Sequence, residues 1–262
     1  MTRINNTVFH NCTEIVQFLE QNKNGLVSTG AYGRNVDTDF CNYKNYDTFL
    51  RDLKLGNKEY NRDYLKVLDK LETGCDTANT YSYTDDGMFY DMSEVINNSP
   101  ECMLIDEQIP KKSLKLFIDV GYCADTSNNI LKNRGIAIFK LLYTLYMQNY
   151  ILDVSWVCFT KISDAYERMY FHLPQNELNI PTIATFCSPE FFRLMLVCMY
   201  FPFKYEEETG CSHMEREDIN LLKSQGLYIP GGYTSSEAER LYSQEKADEF
   251  ITGLFNNYKG GK

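Results

Sequence analysis

No apolar run in the sequence approaches the roughly 18–20 residues that cross a bilayer as a helix, so no membrane span is expected. The first 20 residues lack the basic-then-apolar pattern of a secretory leader, which predicts a soluble, unexported chain. Basic residues are in deficit: 26 Lys and Arg face 36 Asp and Glu, a formal net charge of -10. Sequence-independent nucleic-acid binding needs Lys and Arg to displace counterions, and the deficit argues against nucleic acid as a non-specific ligand. Only three histidines occur, His10, His172 and His213, with no HExxH and no obvious Ser-His-Asp order. GxGxxG and GxxxxGK[ST] are both missing, so no dinucleotide or P-loop motif supports a nucleotide site.

Nine cysteines are scattered through the chain without a CxxC pair. Their odd number, and the apolar runs around several of them, predict buried thiols in a reducing compartment. Cys211 and His213 supply two metal-ligand types, but no second pair accompanies them. Twenty Tyr and 16 Phe form a heavy aromatic load, which core packing explains first and a partner surface second.

What the sequence does contain is one well-patterned unit. Leu116, Phe117, Ile118 and Val120 form the short apolar run of a strand covered on both faces. Ile136, Ala137, Phe139, Leu141, Leu142, Leu145 and Tyr146 then recur at helical spacing across Asn133–Tyr150, and ILDVSWVCFTKI at Ile151–Ile162 reads as a second strand. The helix is long enough for a crossover, so the unit is expected to be a right-handed βαβ. The fold expected is α/β: a Rossmann-like mixed sheet flanked by helices, over residues 113–262. Residues 1–112 are expected to form a helical and β-hairpin N-terminal extension. It holds helices at 13–21, Tyr46–Gly56 and Glu59–Glu72, a loop through Gly25, Gly30 and Gly33, and a hairpin at Thr80–Met92 turning on Asp86-Gly87. Further on, Glu167–Leu173 is expected to pair antiparallel with Val154–Lys161. Helices begin near Pro181 and at the N-cap Ser188. The acidic clusters 206–208 and 215–218 read as solvated faces, Leu227–Ile229 as a last strand and Ser235–Tyr258 as terminal helices.

Ligands of open α/β folds bind at the carboxyl edge of the strands. Here that edge offers Asp119 and the loop Gly121–Lys132, with Asp125, Ser127 and Asn129, then the helix start Asn133-Arg134-Gly135. The oxygen-rich loop could hold Mg²⁺, and the helix start an anion with Arg134 as bidentate donor. The simpler expectation is that Arg134 pairs with a carboxylate such as Asp119 or Asp125 and that Gly135 permits close helix–sheet approach. His172 reads as a hydrogen-bonded structural imidazole, and Arg193 as a buried guanidinium needing a carboxylate.

Pro100–Met103, Asn133–Gly135 and Ser188–Arg193 supply a Pro-Glu-Cys-Met turn, an Asn-Arg-Gly helix start and a Ser-Pro-x-x-x-Arg helix. On these, roughly residues 85–255 resemble a domain of unknown function carried by tailed bacteriophages and prophages. A strand ending in Asp before a loop and helix is also similar to von Willebrand factor A-like domains, although Gly121 and Cys123 replace the serines of their metal motif. The resemblance implies a bacteriophage protein in the host cytoplasm or virion. The function expected is non-enzymatic, through contact with a phage or host protein and without a cofactor. The alternative is a metal- or nucleotide-dependent enzyme built around Asp119 and Arg134.

Overall fold

The computed structural model describes residues 3–21, 46–55, 64–67, 81–84, 89–90, 103–106, 112–122, 126–148, 150–162, 165–173, 178, 180–193, 214–232 and 239–260. Its centre is a five-stranded mixed sheet in the order β1-β7-β6-β5-β8. The strands are β1 (Arg3–Phe9), β5 (Ser113–Asp119), β6 (Ile151–Ile162), β7 (Ala165–Leu173) and β8 (Leu227–Ile229). A separate three-stranded sheet holds β2 (Tyr81–Thr84), β3 (Phe89–Tyr90) and β4 (Met103–Asp106). Among the described residues the longer helices are α1 (Cys12–Gln21), α2 (Tyr46–Leu55), α3 (Asn128–Met147), α4 (Ile180–Phe186), α5 (Arg216–Gln225) and α6 (Gln244–Gly260).

The expected strand–helix–strand is present. β5 and β6 run parallel, with Leu116 opposite Val154 and Ile118 opposite Trp156, and α3 connects them. β7 returns antiparallel to β6, as expected for Glu167–Leu173, from Val154 opposite Leu173 to Ile162 opposite Ala165. The α/β class is therefore as read from the sequence.

Side chains alternate across a strand, so each strand feeds two different layers. On the first face, Leu116, Ile118, Val120, Val154, Trp156, Phe171, Leu173, Leu227 and Ile229 join the large apolar core with residues of α1, α2, α3, α4 and α6. On the second face Phe117, Val157, Phe159 and Tyr228 form a smaller cluster with Met214 and with Leu222 of α5. Within the helical layer, α1 packs on α2, α2 on α4, and both α4 and α6 on α3. The helix starts are capped by the expected chemistry. Asn11 Oδ1 accepts the Glu14 N–H (2.9 Å) while Glu14 Oε2 accepts the His10 N–H (2.7 Å), a reciprocal pair that opens α1. Ser188 Oγ accepts the Phe191 N–H (3.1 Å), and Pro181 sits in the first turn of α4.

Several expectations change. β1 does not belong to a separate extension: its whole length pairs parallel with β7, Arg3 opposite Ala165 through Phe9 opposite Phe171, so the chain before residue 113 supplies an edge of the central sheet. The hairpin at Thr80–Met92 does not form as such, because β2 and β3 lie on either side of β4 and each pairs antiparallel with it. Helix α3 starts at Asn128, five residues before Asn133, because Ser127 rather than the Asn-Arg-Gly run caps it. The cluster 215–218, read as a solvated face, instead opens α5, and Asp218 is buried against β7 in an ion pair with Arg168. Terminal helix α6 begins at Gln244, where Ser243 Oγ accepts the Lys246 N–H (3.3 Å). Of the segment 59–72 only residues 64–67 are described, and they are helical. The loop at Gly25–Gly33 and the cluster 206–208 lie outside the described residues.

Candidate functional site

The carboxyl end of β5 is extended past Asp119 by two further contacts. The Val120 N–H donates to the Val157 carbonyl (2.9 Å), and the Gly232 N–H donates to that of Gly121 (2.9 Å), bridging Tyr122 to Gly232. Asp119 is fully buried at this junction. Its Oδ1 accepts the Gly121 N–H (2.8 Å) and its Oδ2 the Tyr228 hydroxyl (2.8 Å), so one carboxylate oxygen holds the bend after β5 and the other ties β5 to β8. Buried carboxylates persist where donors replace their water, and here one main-chain and one phenolic donor do so.

Arg134 approaches the same junction from the second turn of α3. Its Nη2 donates to the main-chain carbonyls of Asp119 and of Pro230, the latter at 2.9 Å, and its guanidinium lies 5.0 Å from the centre of the Phe192 ring. The acceptors in these contacts are two carbonyl oxygens, one at the end of each of β5 and β8; of the carboxylates expected, Asp119 offers its main-chain oxygen and Asp125 lies outside the described residues. Planar forks suit such paired acceptors. The adjoining Gly135 is packed against the turn after α4. A Cβ there would sit 1.8 Å from the Cys187 carbonyl oxygen, which also accepts the Tyr64 hydroxyl (3.3 Å). The close approach foreseen for Gly135 is therefore to the Cys187 turn and not to the sheet. Burial pushes the Cys187 thiol up, against the opposing effect of Arg134, and leaves it unsuited to act as a nucleophile.

The remaining candidates separate. Ser127 Oγ accepts the Ile130 N–H (3.4 Å), and Ser127 and Asn129 are exposed on the first turn of α3. Asn133 turns towards the C-terminal segment: its Nδ2 donates to the Leu241 and Tyr242 carbonyls (both 3.1 Å), and Gln244 Nε2 donates to its carbonyl (3.2 Å). The amides of Asn133, Arg134 and Gly135 lie past the first four residues of α3, so they are not the open donors of a helix start and the anion site expected there is withdrawn. Asp125 lies outside the described residues. The structure thus brings Asp119, Arg134 and Gly135 to one junction, leaves Ser127 and Asn129 on the outer turn, and commits Asn133 to the α6 side.

Two residues that the sequence did not single out for this junction hold it in place. Tyr228 sits in the Leu227–Ile229 strand on the alternate position to Leu227 and Ile229, opposite Phe117 and on the same face as Asp119, which its hydroxyl reaches. Arg193 binds the loop before α3, donating from Nε to Asn128 Oδ1 (2.7 Å) and from Nη2 to the Thr126 carbonyl (2.8 Å), beside the Tyr122 ring. These contacts are to an amide and a carbonyl where a carboxylate was expected. No sequence signal distinguishes that choice.

Among the described residues, no three His, Cys, Asp or Glu gather where a metal ion could be held, and no helix is long and apolar enough to cross a membrane. A family model described as "Domain of unknown function (DUF7192)" matches residues 2–258. No curated protein and no solved structure matches the chain.

Proposed function

We propose that this chain, which belongs to the DUF7192 family, is a non-enzymatic bacteriophage protein that acts by binding a phage or host protein, in the infected cell or the virion. One observation supports this reading most. The polar groups at the carboxyl edge of β5, where a Rossmann-like sheet would hold its ligand, are engaged in joining the protein to itself: Asp119 with Gly121 and Tyr228, Arg134 with the ends of β5 and β8, Asn133 with the α6 side. Reactive centres need groups held ready for substrate, and these are occupied. The same contacts weigh against the metal- or nucleotide-dependent alternative at Asp119 and Arg134.

The test is affinity purification of the tagged full chain from phage-infected cells, beside calorimetry of the pure protein with Mg²⁺, Mn²⁺ and nucleotides. The expected result is one protein recovered in stoichiometric amount and no heat with the small ligands. Heat that disappears in Arg134→Lys, with the fold retained by circular dichroism, would transfer the assignment to the enzymatic alternative. Recovery of no protein above the untagged control removes the binding reading.

A further inference from the structure

The two edges of the central sheet are finished differently. β8 closes one edge with only three residues, bracketed by Gly226 and Pro230 and packed against α5 and α6. β1 closes the other with seven residues, RINNTVF, paired without interruption to β7 and flanked by α1, whose Phe18 lies on Phe9 with ring centres 5.1 Å apart. Sheet edges carry unpaired main-chain donors and acceptors, and native chains blunt them with short strands, Pro, charges, bulges or a covering helix. β8 is short, stopped by a Pro and covered by helices. β1 has no Pro, no bulge in its register and a single charged residue, Arg3, at its start.

Among the described residues no strand lies outside β1. Asn6 is exposed, and Val8, an apolar side chain left 45% exposed, stands opposite Tyr170 on the second face. The strand is also complementary to itself. Antiparallel pairing with a second copy about Asn6 uses its whole length and sets Ile4 opposite Val8, Asn5 opposite Thr7 and Asn6 opposite Asn6. Every such pair joins positions an even number of residues apart, so both members lie on one face of the extended sheet. The exposed Val8 of each copy then gains an apolar neighbour, and two Asn amides, each able to donate and to accept, meet on the axis. RINNTVF contains no acidic residue although the chain carries a formal charge of -10, and Arg3 falls opposite Phe9, so no like charges face each other.

We propose that the outer edge of β1 takes a second copy of this chain, the two β1 strands pairing antiparallel across a two-fold axis at Asn6 and joining the two central sheets into one. Such a contact is closed, because it consumes the long open edge of each copy and leaves the short, helix-covered β8 edges at the two ends. Assembly therefore stops at the dimer. One strand pair is a small interface, so the dimer dissociates on dilution. This surface recognises the chain's own sequence, and it does not depend on the reading that the protein binds another phage or host protein.

The test is sedimentation of the full chain under reducing conditions across a concentration series, followed by oxidative cross-linking of cysteine variants. The natural sequence is expected to be dimeric at high concentration and monomeric on dilution. Val8→Lys, at a position already exposed, is expected to weaken the dimer at least about tenfold, because the change enters a two-fold interface twice. Leu221→Lys, on a comparably exposed apolar residue of α5, is expected to leave it unchanged. Asn6→Cys sets two thiols opposite each other on the axis and should give a covalent dimer above the background of the nine native cysteines. Val8→Cys should not, since its two copies are offset along the strands by roughly 14 Å. A chain monomeric at every concentration, a dimer indifferent to Val8→Lys, or cross-linking at Val8→Cys equal to that at Asn6→Cys would overturn the proposal. So would β1 amides that gain protection from hydrogen exchange only when a protein recovered from infected cells is added, which would give the edge to that partner.

Discussion

The two faces of the central sheet are built on different chemistry. The first is a continuous apolar surface under α1, α2, α3, α4 and α6, and its strand residues include the fully buried Trp156, Val154, Ile118 and Phe171. The second has a smaller apolar cluster under α5, and polar contacts are set into it: Asp119 with Tyr228, Arg168 with Asp218, and His172 with Asp153. Burial without direction holds the first face, whereas paired groups that must meet in one geometry hold much of the second. Non-directional burial and directional polar pairing are accordingly divided between the two sides of the same strands.

The largest effect expected is on the first face. Trp156→Ala removes a fully buried indole that packs on Phe186, ring centres 4.9 Å apart, and should cost about 3–5 kcal/mol in denaturant unfolding. Its indole N–H makes no hydrogen bond among the described residues, so Trp156→Phe should be much milder, since it forfeits volume and no polar contact. A Phe variant as unstable as the Ala variant would mean that the first face depends on a directional contact after all.

On the second face the corresponding break is Asp218→Ala. It leaves the Arg168 guanidinium over the Phe159 ring without its carboxylate, at a cost at the low end of the range for a broken buried pair, about 3 kcal/mol, because Arg168 keeps 21% of its side-chain surface in water. Replacing both partners sharpens the contrast. Arg168→Met with Asp218→Leu should recover most of that loss, because an apolar pair needs neither charge solvated. A double variant as unstable as the single one would show that the ion pair, and not the desolvation of one member, stabilises α5 on the sheet.

These differences explain how much of the fold the sequence disclosed. Strands β5 and β6 and helix α3 were legible because they face the apolar side, where periodicity reports burial directly. β1 was not, since RINNTVF is half polar and becomes a strand only through its pairing with β7. α5 was hidden in the same way: its Glu217 and Asp218 looked solvated, yet Ile219 and Leu222 carry a helical face and Asp218 is buried by Arg168, fifty positions earlier. At the candidate site, Asp119 and Arg134 were identified by their place at a strand end and a helix. Their partners, Tyr228 and the Pro230 carbonyl, come from the other end of the core and could not be read locally.

Between the helices of the first face, Gly135→Ala tests packing on a smaller scale. The new methyl group would meet the Cys187 carbonyl at 1.8 Å, and a main-chain oxygen held also by Tyr64 has little room to move. Overpacking of this kind costs about 1–3 kcal/mol, and here the upper end is expected in thermal unfolding. Gly253 in α6 is the control. A Cβ there meets nothing within 4 Å, so Gly253→Ala should stabilise the protein by about 0.5–1 kcal/mol through helix propensity alone.

The smallest effect expected is the one that depends on pH, and it belongs to the second face. Burial raises the pKa of the Tyr170 phenol above 10.0; the Arg168 guanidinium opposes this and the Asp218 carboxylate adds to it. A group whose pKa is higher in the folded state binds its proton more tightly there. The stability it contributes is complete below pH 10.0, the unfolded value, and is lost as the pH rises through the higher folded value. Tyr170→Phe should therefore leave stability near neutral pH almost unchanged and make its decline above pH 10.0 shallower, measured as the urea midpoint against pH. In the Asp218→Ala background the same substitution should flatten the curve less, because the carboxylate that helps hold the phenol protonated is gone while the opposing guanidinium remains. Equal flattening in both backgrounds would mean that burial alone sets the shift, and that the charged pair on this face does not reach the tyrosine beside it.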